Sequence, residues 1–95
     1  MARLKDRFSR DPVVVLRKIG DDFFLIPVRP GKELEFIYNF QETGARIWEL
    51  LDGKREVAEV VGLLSGEFGV APEEVKVDLL EFLEQLEQEG LVHNG

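Results

Sequence analysis

The hydrophobic period of this chain changes once, near residue 40, and that change limits the fold more than any single motif. Before it, apolar residues are β-branched runs or alternate. "PVVVLRKI" at 12–19 predicts a strand. "GDD" at 20–22 is a turn, and "FFLIPV" at 23–28 predicts a second strand, nearly all apolar and therefore central. Pro27 has no N–H for a ladder, so its place is the strand's end or a bulge. "RPGK" at 29–32 is a strong turn signal. "ELEFIYN" at 33–39 alternates, with Leu34, Phe36 and Tyr38 on one face and Glu33, Glu35 and Ile37 on the other. This third strand is an edge strand. Its two glutamates either guard against stray pairing or select a partner strand with basic side chains.

From Gln41 the period is helical. Three helices are predicted, over about 42–52, 55–68 and 72–89. Gly44, Ile47, Trp48, Leu50 and Leu51 form the inner face of the first, which "DGK" stops, with Gly53 as a left-handed cap. Val57, Val60, Val61, Leu64 and Phe68 form the stripe of the second, which Gly69 ends. The third opens on "APEE", where Pro72 suits a first turn and Glu73 and Glu74 suit the positive helix end. Its inner stripe is Val75, Leu79, Phe82, Leu83 and Leu86, and Gly90 ends it. "LVHN" after it reads as a short final strand. Strands first and helices after make an α+β fold, with a three-stranded antiparallel sheet followed by a three-helix bundle. It fills one domain, residues 12–95. Residues 1–11, polar and mostly charged, are expected to be a flexible arm.

The 95 residues contain no cysteine, which excludes disulfides and thiolate chemistry. The one histidine, His93, reads as a solvated side chain, so a His-based metal site or catalytic triad is not expected. Gly62, Gly66 and Gly69 lack the Gly-Lys-Ser/Thr ending and the preceding strand of a phosphate loop. Trp48 lies on the buried stripe and reads as core. No catalytic, cofactor or metal residue can be assigned, and the chain is read as non-enzymatic. The basic start "MARLKDRFSR" precedes no signal-peptide-like apolar run, and no stretch approaches the ~18 apolar residues of a membrane span. A cytoplasmic protein without a membrane partner is expected.

Charge is unevenly spread over the net −7. Residues 1–55 hold 11 basic and 9 acidic side chains, and residues 56–95 hold Lys76 against 10 acidic ones. The helical order suits a winged helix, whose third helix would read DNA. That helix carries seven carboxylates between Glu73 and Glu89. DNA affinity rests on cations neutralising phosphates, so such a helix is repelled. A winged-helix DNA regulator stays an alternative, and so does a homodimeric assembly module using the strand edge. The favoured reading is peptide recognition. The edge Glu33, Leu34, Glu35, Phe36, Ile37 and Tyr38 is open to β-strand addition. Val77 and Leu80, off the inner stripe and flanked by Glu73, Lys76, Glu81 and Glu84, form either a groove wall or packing under the strands.

Three blocks carry a family resemblance: "ETGARIWELLDG", "VAEVVGLL…FGV", and "VKVDLLEFLEQLEQEGLV" with Asp78 in its family place. Together they make residues 40–92 similar to the PqqD family. The resemblance implies a winged-helix-like domain and a non-catalytic peptide chaperone, or recognition element for ribosomally made, modified peptides. It implies capture of a precursor's leader peptide by strand addition at Glu33–Tyr38 against the third helix. It further implies presentation to a modifying enzyme, often a radical S-adenosylmethionine enzyme. Pyrroloquinoline quinone biosynthesis and related peptide pathways both fit, with no cofactor, no nucleic acid, and a monomer or homodimer. Gln41 stands where the family usually has asparagine, a better helix N-cap, which shifts capping toward Thr43.

Overall fold

The computed structural model of the chain describes residues 2–27, 38–40 and 42–95. The element order is β1 (Phe8–Arg10), β2 (Val14–Ile19), β3 (Asp22–Pro27), β4 (Tyr38–Phe40), α1 (Glu42–Leu50), α2 (Val57–Phe68), α3 (Pro72–Gln88) and β5 (Val92–Asn94). The fold is α+β, with three helices and antiparallel sheets.

One sheet has the order β2-β3-β4. Its first pair is a tight hairpin whose ladder runs from Val14 opposite Pro27 to Ile19 opposite Asp22. Gly20 takes φ +64° at the turn, which two-residue hairpin loops require. Pro27 closes the ladder of β3, the one place a strand tolerates it without losing a central bond. Val14, Leu16 and Lys18 share a face with Leu25 and Phe23, and this face turns to the core. β4 adds to β3 with Phe23 opposite Phe40 and leads into α1. Residues 28–37, which include the "RPGK" turn and most of the predicted third strand, lie outside the described residues, as does Gln41.

The second sheet was not expected. β1 pairs with β5, Phe8 opposite Asn94 and Arg10 opposite Val92. The first eleven residues are therefore no loose arm. Phe8 is 1% exposed, and Ala2 is buried with it. The carbonyls of Asp6 and Leu4 accept the N–H groups of Val57 and Ala58 at 2.9 and 3.0 Å. These are donors that a helix start leaves unpaired, so the segment satisfies the first turn of α2. Its charged residues hid this role, because the partners are backbone atoms and one aromatic ring.

The turn between α1 and α2 holds the segment in place. Gly53, at φ +78°, donates its N–H to the Phe8 carbonyl at 2.9 Å, and Ser9 bridges Asp52. A Cβ on Gly53 would meet that of Ser9 at 3.2 Å, so glycine serves both the backbone angle and the close approach. Asp52 Oδ1 accepts the N–H groups of Lys54 and Arg55 at 2.9 and 3.0 Å, and Oδ2 meets Arg55 Nη1 at 2.6 Å. These donors, the Lys54 N–H foremost, hold the Asp52 carboxyl below its ordinary value. A carboxyl lowered on folding stabilises above its unfolded pKa and loses that effect as pH falls through its folded value. The difference in unfolding free energy between the native chain and Asp52→Asn is thus expected to be flat near neutrality. It should shrink below about pH 4. Urea titrations at a series of pH values check this.

His93 also departs from its expected solvated state. Its side chain is half-exposed, but Nε2 lies 2.8 Å from Oδ2 of Asp11, which is buried. Oδ1 of Asp11 accepts the N–H of Val13 at 2.9 Å, and its own N–H donates to Leu91 at 3.0 Å. One carboxylate therefore pins the corner between the two sheets.

The core joins Phe8, Val14 and Leu25 to Ile47, Trp48, Leu50 and Leu51 of the α1 segment. Val57, Val60, Val61 and Leu64 of α2 and Leu79, Leu83 and Leu86 of α3 complete it. Pro72 opens α3, and Gly90 at φ +72° closes it, with Leu91 N–H bonded to the Leu86 carbonyl at 2.9 Å. Besides the half-covered Gly44, three residues predicted for the inner stripes are not buried. Phe68 is 41% exposed, and Val75 and Phe82 are only partly covered.

Candidate functional site: an apolar cleft beside an acidic helix

Those three residues share one location. The last turn of α2 and the first half of α3 do not close onto α1, and a cleft of about 300 Å³ separates them. Thr43, Gly44 and Ile47 of α1 form one wall, and Leu64 and Phe68 of α2 form the end. Val70 precedes α3, which contributes Val75, Asp78, Leu79 and Phe82. These four α3 positions are spaced i, i+3, i+4 and i+7 and so lie along one face. Gly44 brings no side chain to its wall. Among the described residues, the only polar side chains in the lining are Thr43 and Asp78.

The cleft begins where β4 hands over to α1. Among the described residues β4 pairs only with β3, so its other side is a sheet edge. A strand edge thus runs into an apolar cleft, the two components needed to hold an extended peptide by main chain and side chain.

The wall of the cleft is braced by charge. Arg46 of α1 grips Glu67 of α2 in a bidentate pair, with Nε–Oε2 at 2.9 Å and Nη2–Oε1 at 2.7 Å. It also reaches Glu49 at 3.2 Å. The Arg46 hydrogen bonds hold the Glu67 carboxyl below its ordinary value, and Arg46 is raised in turn. The planar fork fixes the turn that carries Phe68, so this pair sets geometry more than stability.

Next to the cleft, Glu73, Glu74, Val77 and Asp78 outline a shallow depression. Val77, which lines it, is 56% exposed. Asp78 lines both depression and cleft. None of the α3 carboxylates is ion-paired among the described residues. The first half of α3 is therefore a strongly negative face with an apolar spot in it.

Of the residues proposed from sequence, Glu73 and Val77 sit at this depression, and Lys76 and Glu81 are exposed on the same helix. Glu84 is half-buried further along. Leu80 packs against the core instead of facing outward with Val77, because its neighbours 79 and 83 carry that side of α3 inward. Tyr38 starts β4, and 33–37 lie outside the described residues. Sequence reasoning missed Phe68, Val75, Asp78 and Phe82 as lining residues. A helical wheel places the three apolar ones on buried stripes, and periodicity does not tell a stripe that meets a partner helix from one that stops short of it.

Among the described residues, no three His, Cys, Asp or Glu side chains gather as a metal site would require, and no helix is long and apolar enough to cross a membrane.

The family model for coenzyme PQQ synthesis protein D (PqqD) matches residues 28–92, more than half of the chain. This chain belongs to the PqqD family. The match takes in β4, all three helices and therefore every wall of the cleft. A solved structure of TbiB1 in complex with the TbiA(beta) leader peptide is similar to this PqqD-family domain at a TM-score of 0.70, with 27% identity. The similarity covers 90% of this chain and 94% of that one, so it reaches beyond the family match into the N-terminal part of the chain. No curated protein matches the chain.

Proposed function

We propose that this protein is a non-catalytic, winged-helix-like chaperone that binds the leader region of a ribosomally made precursor peptide. It presents that peptide to a modifying enzyme, for instance a radical S-adenosylmethionine enzyme of pyrroloquinoline quinone or related peptide pathways. The observation that carries the reading is the apolar cleft between α1 and α3 at the end of an open sheet edge. Membership of the PqqD family and likeness to a protein solved with a leader peptide support it.

In this reading the leader adds as a strand along 33–38 and lodges apolar side chains against α3. Glu33, Leu34, Glu35, Phe36, Ile37 and Tyr38 form the edge, and Glu73, Lys76, Val77, Glu81 and Glu84 form the helical side, with Leu80 backing it from the core. To these we add Val75, Asp78 and Phe82 from the cleft. The unpaired carboxylates of α3 favour leaders with lysine or arginine, and they repel nucleic acid.

The test is a titration of a candidate leader peptide into isotope-labelled protein, followed by amide shifts. Shifts are expected at Tyr38–Phe40 and along 75–82, with affinity falling as salt is raised. Shifts confined to β1, β5 and the second half of α3 would overturn the site.

A further inference from the structure

The three-stranded sheet has a second open edge, and it is built differently. β2 pairs with β3 alone among the described residues, so one side of Val14–Ile19 presents unpaired backbone groups. Beneath that side runs a groove bounded by Arg10, Pro12, Val14, Val15 and Leu16, with Trp48 of α1 in its floor. Val15 and Leu16 point to opposite faces of the sheet, yet both line it. The groove therefore follows the strand's edge rather than one of its faces.

The charge along this edge is positive. Arg10, Arg17 and Lys18 are exposed, and none has a carboxylate partner among the described residues. Lys18 instead stands over the Phe23 ring at 5.6 Å. Two acidic side chains line the groove: Glu49 is already matched by Arg46, and Asp11 is buried against His93 and the Val13 N–H. The hairpin also carries Ile19, 62% exposed, on the face opposite the core. Native sheets usually blunt an open edge with a proline, a bulge or a covering element, and among the described residues β2 has none of these. Cationic side chains alone protect it, and an anionic strand converts that protection into attraction.

We infer that the outer edge of β2 is a second strand-addition surface, suited to an extended acidic segment of a protein partner. Such a segment extends the sheet by main-chain hydrogen bonds. Its alternate side chains lie over Val15 and Ile19 or against the groove, and its carboxylates meet Arg10, Arg17 and Lys18. A second copy of this chain fits less well, because antiparallel β2–β2 pairing sets no carboxylate opposite these cations. A nucleic acid fits less well still, since three cations on a chain of net charge −7 give little phosphate neutralisation. The inference stands on β2 and does not depend on the leader-peptide reading. Where both hold, one sheet offers its two edges to partners of opposite charge.

The probe is a short synthetic peptide alternating glutamate with valine, titrated into isotope-labelled full chain. The lysine–valine counterpart and a short DNA duplex run in parallel. Amide shifts along Val14–Ile19 with the glutamate peptide alone, and none at 75–82, are the expected result. Arg17→Glu and Arg10→Glu are each expected to weaken binding about fivefold, as loss of an exposed ion pair implies. The inference is overturned by no β2 shifts up to about 1 mM peptide, a level typical of weak contacts. Equal binding of the lysine peptide overturns it as well. β2 shifts that depend on protein concentration alone, with a dimer in light scattering, assign the edge to a second copy. Binding of the duplex at β2 assigns it to nucleic acid.

Discussion

Replacing Phe8 with alanine is expected to lower the unfolding free energy by about 3–5 kcal/mol, the usual cost of emptying a fully buried aromatic site. Domains of this size hold a total of roughly 5–15 kcal/mol, so the variant should lose a large share of its stability. The effect is large because the Phe8 ring lies fully buried in the core, while the backbone bond from Gly53 N–H to the residue 8 carbonyl is one that alanine keeps. Urea unfolding monitored by Trp48 fluorescence measures the change directly, since Trp48 belongs to the same core. A loss under 1 kcal/mol would mean that the N-terminal segment lies off the domain in solution.

Filling the cleft is the second large effect. Val75→Trp places an indole in the space between α1 and α3 while leaving the buried residues Leu79, Leu83 and Leu86 unchanged. If a leader peptide anchors there, its affinity should fall by ~30-fold, the loss typical of a single interface hot spot. Thermal stability should change little, because Val75 is only partly covered. Isothermal titration beside a melting curve separates the two. Unchanged affinity in a folded variant would move the peptide site elsewhere. Ile19→Ala, on the hairpin, is the matched control and should bind the leader normally.

How far the fold was legible depends on the kind of signal. The helices came through with ends only a residue or two off, because glycine, proline and the 3.6 period act locally. Gly53, Gly69 and Gly90 each take a positive φ beside a helix end, as their positions predicted. The final strand was legible in "LVHN", but β1 and its pairing with β5 stayed hidden. "FSR" and "VHN" are three residues each, too short for any period, and their pairing spans almost the whole chain. Non-local contacts of this kind leave no local trace. The site was legible in part for a related reason. The acidity of α3 is written in its composition. The cleft arises from where α2 and α3 diverge from α1, and Phe68 looks the same in sequence whether it meets a neighbour or the mouth of a groove. The Asp11–His93 contact likewise joins two residues that composition reads as ordinary surface.

The pairing of β1 with β5 also decides where anything attached to this domain must leave it. Residues 8 and 94 are ladder neighbours, so both ends of the fold emerge side by side. They emerge near the first turn of α2 and just past the last turn of α3, whereas the cleft lies at the opposite ends of those helices. α3 alone has 17 residues and spans about 25 Å. A tag, surface linker or fused protein joined at either end thereby starts from the end of α3 that lies away from Val75 and Asp78. The same closeness makes the domain a fair candidate for circular permutation through a short linker, with new ends opened at the Gly20–Asp21 hairpin turn.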